Sequence, residues 1–289
     1  HSILLDKNGN LWIGLFQKGV FLSPNHTNKF KYWGSKSFKN NLIGSSCVMS
    51  LYYDNADVLW VGTDHDGIYA IDVFNNSQHY ILYGNSTSLA STIMTIAEEN
   101  ENTLWLGSYL DGLIKFNKNN GSYTRFANTS TEFANNPSSN RINNLLKDNK
   151  NRLWIGTNGA GVQIFDTKTS SFTAQYTSNT NNKKGIVSNW INCLKNDGDS
   201  LIWVGTYEGV NTIDQRNGKI KTYTKKDKTL PSNIVYSIAL DRVGNVWFGT
   251  LDGLAKYNKR TKKSTFFTTE NGLPSNVIRG IIEDNQGNM

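Results

Sequence analysis

Apolar residues along this chain come in short runs separated by Gly, Asp, Asn and Ser, with no 3.6-residue period over any long stretch. The runs recur in a fixed order. The first carries an apolar pair three positions apart: Val48 and Leu51, Ile93 and Ile96, Ile142 and Leu145, Val235 and Ile238. A turn such as 241–245 follows, where Asp241 can bond its own backbone and Gly244 can take a positive φ. The second run is of the kind Leu153-Trp154-Ile155-Gly156-Thr157, the third is Val162-Gln163-Ile164-Phe165, and the fourth is Ser171-Phe172-Thr173. A long polar connection then leads to the next first run. This order predicts four short strands per repeat and excludes helical solenoids.

Trp-x-Gly marks each repeat: Trp12, Trp60, Trp105, Trp154, Trp203 and Trp247, at spacings of 48, 45, 49, 49 and 44 residues. Six positions before each tryptophan stands an acid: Asp6, Asp54, Glu99, Asp148, Asp197 and Asp241. A hydroxyl follows the glycine (Thr63, Ser108, Thr157, Thr206, Thr250), with Leu15 the exception. A second glycine comes six or seven residues after the tryptophan: Gly19, Gly67, Gly112, Gly161, Gly209 and Gly253. The closing residues 281–289 repeat the opening 3–11, which predicts the first strand of a seventh repeat over 276–289 in a chain cut from something larger.

Four strands per repeat at this spacing is the arithmetic of a β-propeller. The predicted fold is all-β: one propeller segment over 1–289, with six complete four-stranded antiparallel blades plus the first strand of a seventh, part of a seven-bladed propeller. A lone four-stranded sheet cannot bury both faces, so neighbouring blades must pack together. The repeated tryptophan is the expected wedge between blades. The glycine two residues later leaves room for the neighbour, and the acid caps its turn.

The fullest copy runs from Leu230-Pro231-Ser232-Asn233 through Asp241 and Gly244-Asn245-Val246-Trp247-Phe248-Gly249-Thr250 to Gly253-Leu254, and another begins at Gly272-Leu273-Pro274-Ser275-Asn276. This resembles the two-component regulator propeller repeat over essentially the whole chain. The resemblance implies the periplasmic sensor part of an inner-membrane hybrid histidine kinase of the Bacteroides type, responding to oligosaccharides. It implies that the membrane is reached only through segments outside this chain. No kinase motif is present. Early repeats depart from the pattern, as at Leu15 and at Asn41-Leu42-Ile43-Gly44.

Composition narrows the function. Apolar content of 37% and aromatic content of 12% suffice for a packed core. No apolar run is long enough for a membrane helix. Cys47 and Cys193 are expected as buried free thiols, three blades apart and so too distant to bridge. The net charge of +7 gathers in two clusters, Lys219, Lys221, Lys225, Lys226, Lys228 and Lys256, Lys259, Arg260, Lys262, Lys263. Register puts both on the outer rim near the third and fourth strands of blades five and six, where they would dock a partner or an anionic polymer. No nucleic-acid partner is expected.

Catalytic and metal signatures are missing. The four histidines, His1, His26, His65 and His79, have no metal-ligand spacing, and no cofactor is expected. The acid-turn motif is one residue longer than the sialidase Asp box, and the seven arginines are scattered. A propeller lyase would need His65 and Glu208 on the central face. Propellers bind where the turns between second and third strands meet the inter-blade connections. By register those turns carry His65, Tyr109, Asn158, Tyr207 and Glu208, and the connections carry Asn140, Arg141, Asn189, Trp190, Asn233, Asn276 and Arg279. The candidate ligand-binding set is Trp190, Arg141, Tyr207, Tyr109, His65, Asn158 and Arg279. Aromatic faces stack on sugar C–H groups, and amides or guanidinium groups bond hydroxyls and carboxylates. Trp190 stands out because it lies outside the Trp-x-Gly register. The rival to a sensing module is a scaffold that docks neighbouring domains of its own full-length chain, or a homodimer partner, and binds no small ligand.

Overall fold

The computed structural model describes residues 2–23, 25, 31–34, 43–72, 78–79, 92–128, 136–178, 185–198 and 200–289, with the side chains of 31–33 and 78–79 left aside. His1 and His26, and the side chains of Trp33 and His79, therefore lie outside the described residues.

Six antiparallel sheets form the six blades of an all-β propeller, and each is a simple meander in chain order. Blade one comprises Ser2–Leu5, Leu11–Leu15, Gly19–Ser23 and Lys31–Trp33. Blade two comprises Val48–Tyr53, Val58–Thr63, Ile68–Asp72 and Gln78–His79. Blade three comprises Ile93–Asn100, Thr103–Ser108, Leu113–Asn117 and Tyr123–Phe126. Blade four comprises Ile142–Lys147, Arg152–Thr157, Val162–Asp166 and Ser171–Tyr176. Blade five comprises Ile191–Asp197, Leu201–Thr206, Val210–Asp214 and Ile220–Tyr223. Blade six comprises Val235–Leu240, Asn245–Thr250, Gly253–Asn258 and Lys263–Phe267. The chain forms two compact units, His1–Thr131 with Asn140–Leu145, and Glu132–Ser139 with Leu146–Met289.

Four of the six tryptophans are wedges between blades, as the repeat predicts. In the first unit, Trp12 packs with Val48, Val61 and Ile71 of blade two, and Trp60 with Ile93, Leu106 and Phe116 of blade three. In the second unit, Trp154 packs with Ile191, Val204 and Ile213 of blade five, and Trp203 with Val235, Phe248 and Tyr257 of blade six. The glycine after each wedge marks the closest approach. A Cβ on Gly62 would sit 2.3 Å from Ser50 Oγ and 2.7 Å from the Ile93 carbonyl oxygen.

The apolar pair three apart also has its explanation. In an unbroken strand such residues face opposite ways. Here a bulge interrupts the first strand, between Val235 and Ser237, between Val48 and Ser50, and between Ile191 and Cys193. The extra residue returns both members to one face. Val235 and Ile238 both reach the Gly205 position of the preceding blade, at 3.2 and 3.3 Å from its ideal Cβ.

The acids cap their turns and also hold the wedges. Asp54 Oδ1 accepts from the backbone N–H of Ala56 and Val58, and Oδ2 accepts from Trp60 Nε1 at 2.8 Å. Asp6, Asp148, Asp197 and Asp241 likewise accept from Trp12, Trp154, Trp203 and Trp247 at 2.9–3.0 Å. In blade three the acid is Glu99, whose Oε2 lies 3.6 Å from Lys115 Nζ. A buried amine, Lys118 Nζ, leaves the third strand of blade three to meet Asp54 at 2.8 Å and Glu98. Burial opposes ionisation of Asp54, but the hydrogen bonds from Lys118 and Trp60 outweigh it and hold the carboxyl below its ordinary range. Lys259 of blade six repeats this tie, 2.8 Å from Asp197 of blade five.

Both cysteines are free. Burial pushes the Cys193 thiol up to about 12. Cys47 is also raised, by burial and by its hydrogen bond to Asp64.

The expected seventh first strand is a correction. Residues 273–289 contain no strand, because no ladder partner faces Ile281–Asp284 among the described residues. The local parts of the repeat still form. Asp284 Oδ1 accepts from Gln286 and Asn288 N–H, Gly287 takes φ 87°, and Ile278 N–H donates to the Thr250 carbonyl at 2.9 Å.

Candidate functional site

Each turn between second and third strands is locked by the hydroxyl that follows Trp-x-Gly. Thr157 Oγ1 donates to the Gly161 carbonyl at 2.8 Å and accepts from Ala160 N–H at 3.1 Å. Thr206 does the same with Gly209 and Glu208, at 2.8 and 3.0 Å. Ser108, Thr63 and Thr250 repeat the device. In three of the five turns the residue just after the hydroxyl is presented to solvent, while Asp64 and Asn158 are half-buried. Tyr109, Tyr207 and Leu251 occupy this position and are exposed, as is Phe16 after Leu15.

The asparagine that closes an inter-blade connection is a clasp at four places. Asn189 Oδ1 accepts from Ser178 N–H at 2.7 Å, while its carbonyl accepts from Gly159 and Gly161 N–H, each at 3.0 Å. Asn140, Asn233 and Asn276 use Oδ1 in the same way toward Asn128, Lys225 and Thr269. Sequence reasoning placed these four amides among the ligand-facing groups. Their acceptor oxygens instead tie the end of one blade's fourth strand to the start of the next blade.

The clasp positions Trp190. Its backbone forms a β-bridge with Asn158, and its indole stands edge-to-face with the Tyr207 ring, centroids 6.4 Å apart at 84°. Trp190 is 48% exposed and Tyr207 44%. Gly159, at φ 100°, sits beside the indole, where a Cβ would lie 3.9 Å from its Cζ2 and touch nothing else. Below the corner, Ser188 Oγ donates to Glu208 Oε1 at 3.4 Å. Asn158, Trp190 and Tyr207 therefore form one cluster: two open aromatic faces at a right angle on a rigid base.

The other predicted residues lie in separate places. In the first unit, the Arg141 guanidinium lies over the Tyr109 ring at 5.8 Å, beside an Arg125–Asp111 ion pair at 3.2 Å. His65 faces Asp64 at 3.1 Å, with its side chain largely in solvent. Arg279 stacks on Tyr236 of blade six at 3.8 Å. Glu208, the other half of the lyase alternative, belongs to the second unit and His65 to the first. Tyr236 was missed from sequence. It is the bulged residue of blade six, and the odd three-residue spacing of Val235 and Ile238 was the signal that could have found it.

The basic clusters need correction. Lys225, Lys226 and Lys228 lie beyond the fourth strand of blade five, in the connection clasped by Asn233, because that strand ends at Tyr223. Lys259 is occupied by Asp197. Two shallow hollows, each of about 320 Å³, are lined by other residues, one in the second unit by Asn149, Lys150, Gly198 and Gln215 and one in the first along Thr103, Lys115 and Tyr123.

Comparison with solved structures gives the same architecture. The extracellular domain of a B. thetaiotaomicron hybrid two component system superposes with a TM-score of 0.77 at 22% identity, over 99% of this chain and 36% of that one. A second structure of that domain, described as a one component system, gives 0.76 at 22% identity with the same coverage. The WD40 beta propeller domain of Doa1 gives 0.69 at 13% identity, over 98% of this chain and 86% of that one. This chain thus spans about a third of the length of the B. thetaiotaomicron domains. Comparison with curated proteins found no match. The family described as two component regulator propeller matches at 136–159 and 229–252, the stretches that hold the Asn140 and Asn233 clasps and Trp154 and Trp247. Residues 136–159 and 229–252 are two component regulator propeller repeats, set here in a six-bladed propeller.

Proposed function

We propose that this chain is an extracytoplasmic sensing segment of a two-component signalling protein, and that it binds an oligosaccharide on the Trp190–Tyr207 corner. The matched repeats and the likeness to extracellular domains of a B. thetaiotaomicron two component system support the sensor role. One observation carries the ligand class: two aromatic rings at 84°, both nearly half exposed, on a base locked by Thr206 and Asn189. An exposed aromatic wall of this kind stacks on the C–H face of a sugar at little entropic cost, because each ring has only two χ angles to fix. No helix of the described residues is long and apolar enough to cross a membrane.

The test is a thermal-shift screen of neutral and acidic oligosaccharides, followed by calorimetry. A ligand that binds only the folded chain raises the midpoint by mass action. The expected hit is weakened at least tenfold by Trp190→Ala. A hit that Trp190→Ala leaves unchanged would remove the corner from the site.

A second reading, a docking scaffold, is favoured by the apolar residues Phe16, Leu110 and Leu251 exposed on equivalent turns. Silence across the panel on folded protein, with self-association lost in Leu251→Asp, would replace the first reading by the second.

A further inference from the structure

The second compact unit carries cations that pair with no carboxylate among the described residues and stand apart from the aromatic corner. Lys219 and Lys221 lie at and within the outer strand of blade five, and Arg260, Lys262 and Lys263 at the tip of the outer hairpin of blade six. All five are exposed, and none has an ion-pair partner among the described residues. Two carboxylates of blade five are already occupied, Asp197 by Lys259 and Asp214 by Arg216, both at 2.8 Å, while Asp227 caps the turn at Thr224 and Thr229. The two edges are joined. Tyr223 and Tyr257 meet edge-to-face at 5.5 Å, and Ser264 Oγ donates to the Thr229 carbonyl at 2.8 Å. Strand alternation puts Lys221 on the face of Tyr223, with its amine 4.5 Å over that ring, and Lys262 stands at φ 57° in the turn that precedes the last strand of blade six, two residues from Ser264.

We propose that this outer seam of blades five and six is a docking surface for an acidic polysaccharide, separate from the aromatic corner. Five unneutralised cations along one edge attract a polyanion over about a Debye length of 8–10 Å. The chemistry beside them selects the kind of polyanion. Exposed hydroxyls of Thr222, Thr261 and Thr265 and the half-open Phe266 ring suit sugar hydroxyls and C–H faces. A single nucleic-acid strand gains from open rings on which its bases stack, and Tyr223 and Tyr257 are buried in the seam. Insertion into a membrane surface gains from apolar side chains at the leading edge, and the hairpin tips at 215–218 and 259–262 have none; duplex DNA and anionic lipid, which charge alone can hold, are the competitors in the test.

The experiment is affinity electrophoresis of the whole chain in gels containing polygalacturonate or neutral dextran, with duplex DNA and anionic phospholipid vesicles as competitors. Polygalacturonate should retard the chain and dextran should not. The triple variant Lys219→Gln, Lys221→Gln, Lys262→Gln should weaken retention at least tenfold. The charge-matched triple Lys225→Gln, Lys226→Gln, Lys228→Gln, at the opposite end of blade five, should change it less than threefold. Trp190→Ala should leave retention unchanged, which separates this surface from the proposed sensing site. All six lysines are exposed, and an unchanged Tm confirms that each triple is folded. Equal loss in both triples would reduce the effect to net charge and overturn the proposal. So would loss in Trp190→Ala, equal retardation in dextran, or more effective competition by DNA or vesicles than by free polygalacturonate.

Discussion

Trp154 donates its indole N–H to Asp148 at 2.9 Å from inside the seam between blades four and five, and the same carboxylate accepts from the backbone N–H of Lys150 and Arg152. One side chain thus closes a turn and fixes the orientation of the largest core residue. Asp148→Ala strands a buried donor and opens two turn contacts. The expected loss is about 3–5 kcal/mol by urea denaturation, as for a broken buried polar network. Asp148→Asn keeps one acceptor oxygen, enough for the turn N–H groups on Oδ1 or the Trp154 and Arg152 donors on Oδ2 but not both, and should lose less than alanine. A cost under about 1 kcal/mol for the alanine would show that the tie is incidental.

The same carboxylates make the fold acid-sensitive. Asp54, Asp148 and Asp241 are held below the ordinary range: burial opposes ionisation, but hydrogen bonds from Lys118 and Trp60, from Trp154 and Arg152, and from Asn245 and Trp247 outweigh it. A depressed carboxyl contributes stability in full above its unfolded pKa of about 3.9 and loses it as pH falls toward the lower folded value. Thermal midpoints should therefore be flat from neutral pH to about pH 5 and fall steeply below about pH 4. A midpoint unchanged down to pH 2.5 would contradict the assignment.

Gly62 is a packing position. Alanine there would set a methyl group 2.7 Å from the Ile93 carbonyl oxygen, which belongs to the first strand of blade three and cannot rotate away. Gly62→Ala should cost about 1–3 kcal/mol by overpacking. Alanine at Gly244, where φ is 86° but a Cβ meets nothing within 4 Å, should cost only the backbone term of about 1 kcal/mol. Equal costs at the two sites would mean that blade contact does not select the glycine.

Trp154 and Trp190 should separate stability from function. Trp154 is fully buried and Trp190 half exposed. Trp154→Ala should lose about 3–5 kcal/mol and Trp190→Ala less than about 1 kcal/mol. A large loss at Trp190 would make it a core plug, with no surface left to offer a sugar.

Removal of the Lys118 amine tests the tie between blades two and three. Lys118→Met leaves Asp54 and Glu98 buried together without their cation. The expected cost is about 3–5 kcal/mol at pH 7, shrinking as pH falls and the carboxylates take up protons. A cost that grows toward acid would reverse the sign of this argument.

Much of this was legible before any coordinates. The Trp-x-Gly spacing, the acid six residues earlier and the apolar runs led to six four-stranded blades, because wedge, turn and strand are each specified within a few residues. The site was harder. Asn140, Asn189, Asn233 and Asn276 read as ligand-facing amides, since sequence does not record that each Oδ1 is already taken by a backbone N–H of the preceding blade. Lys259 read as a free surface charge, although it reaches back 62 positions to Asp197. The bulge at Tyr236 was encoded in the Val235–Ile238 spacing and passed unread.

The sequence by itself determined the local chemistry: strand runs, capped turns, hydroxyl-locked loops and the wedge with its glycine. These depend on residues a few positions apart, and at Asp284 the turn forms even where no sheet does. Only the tertiary structure decided which polar groups stay free. Trp190 meets Tyr207 because the Asn189 clasp and the Thr206 turn converge there, while Lys118 and Lys259 disappear into neighbouring blades. Those outcomes depend on which surfaces of adjacent blades touch, and residues about fifty positions apart in the chain settle that only once the sheets have stacked.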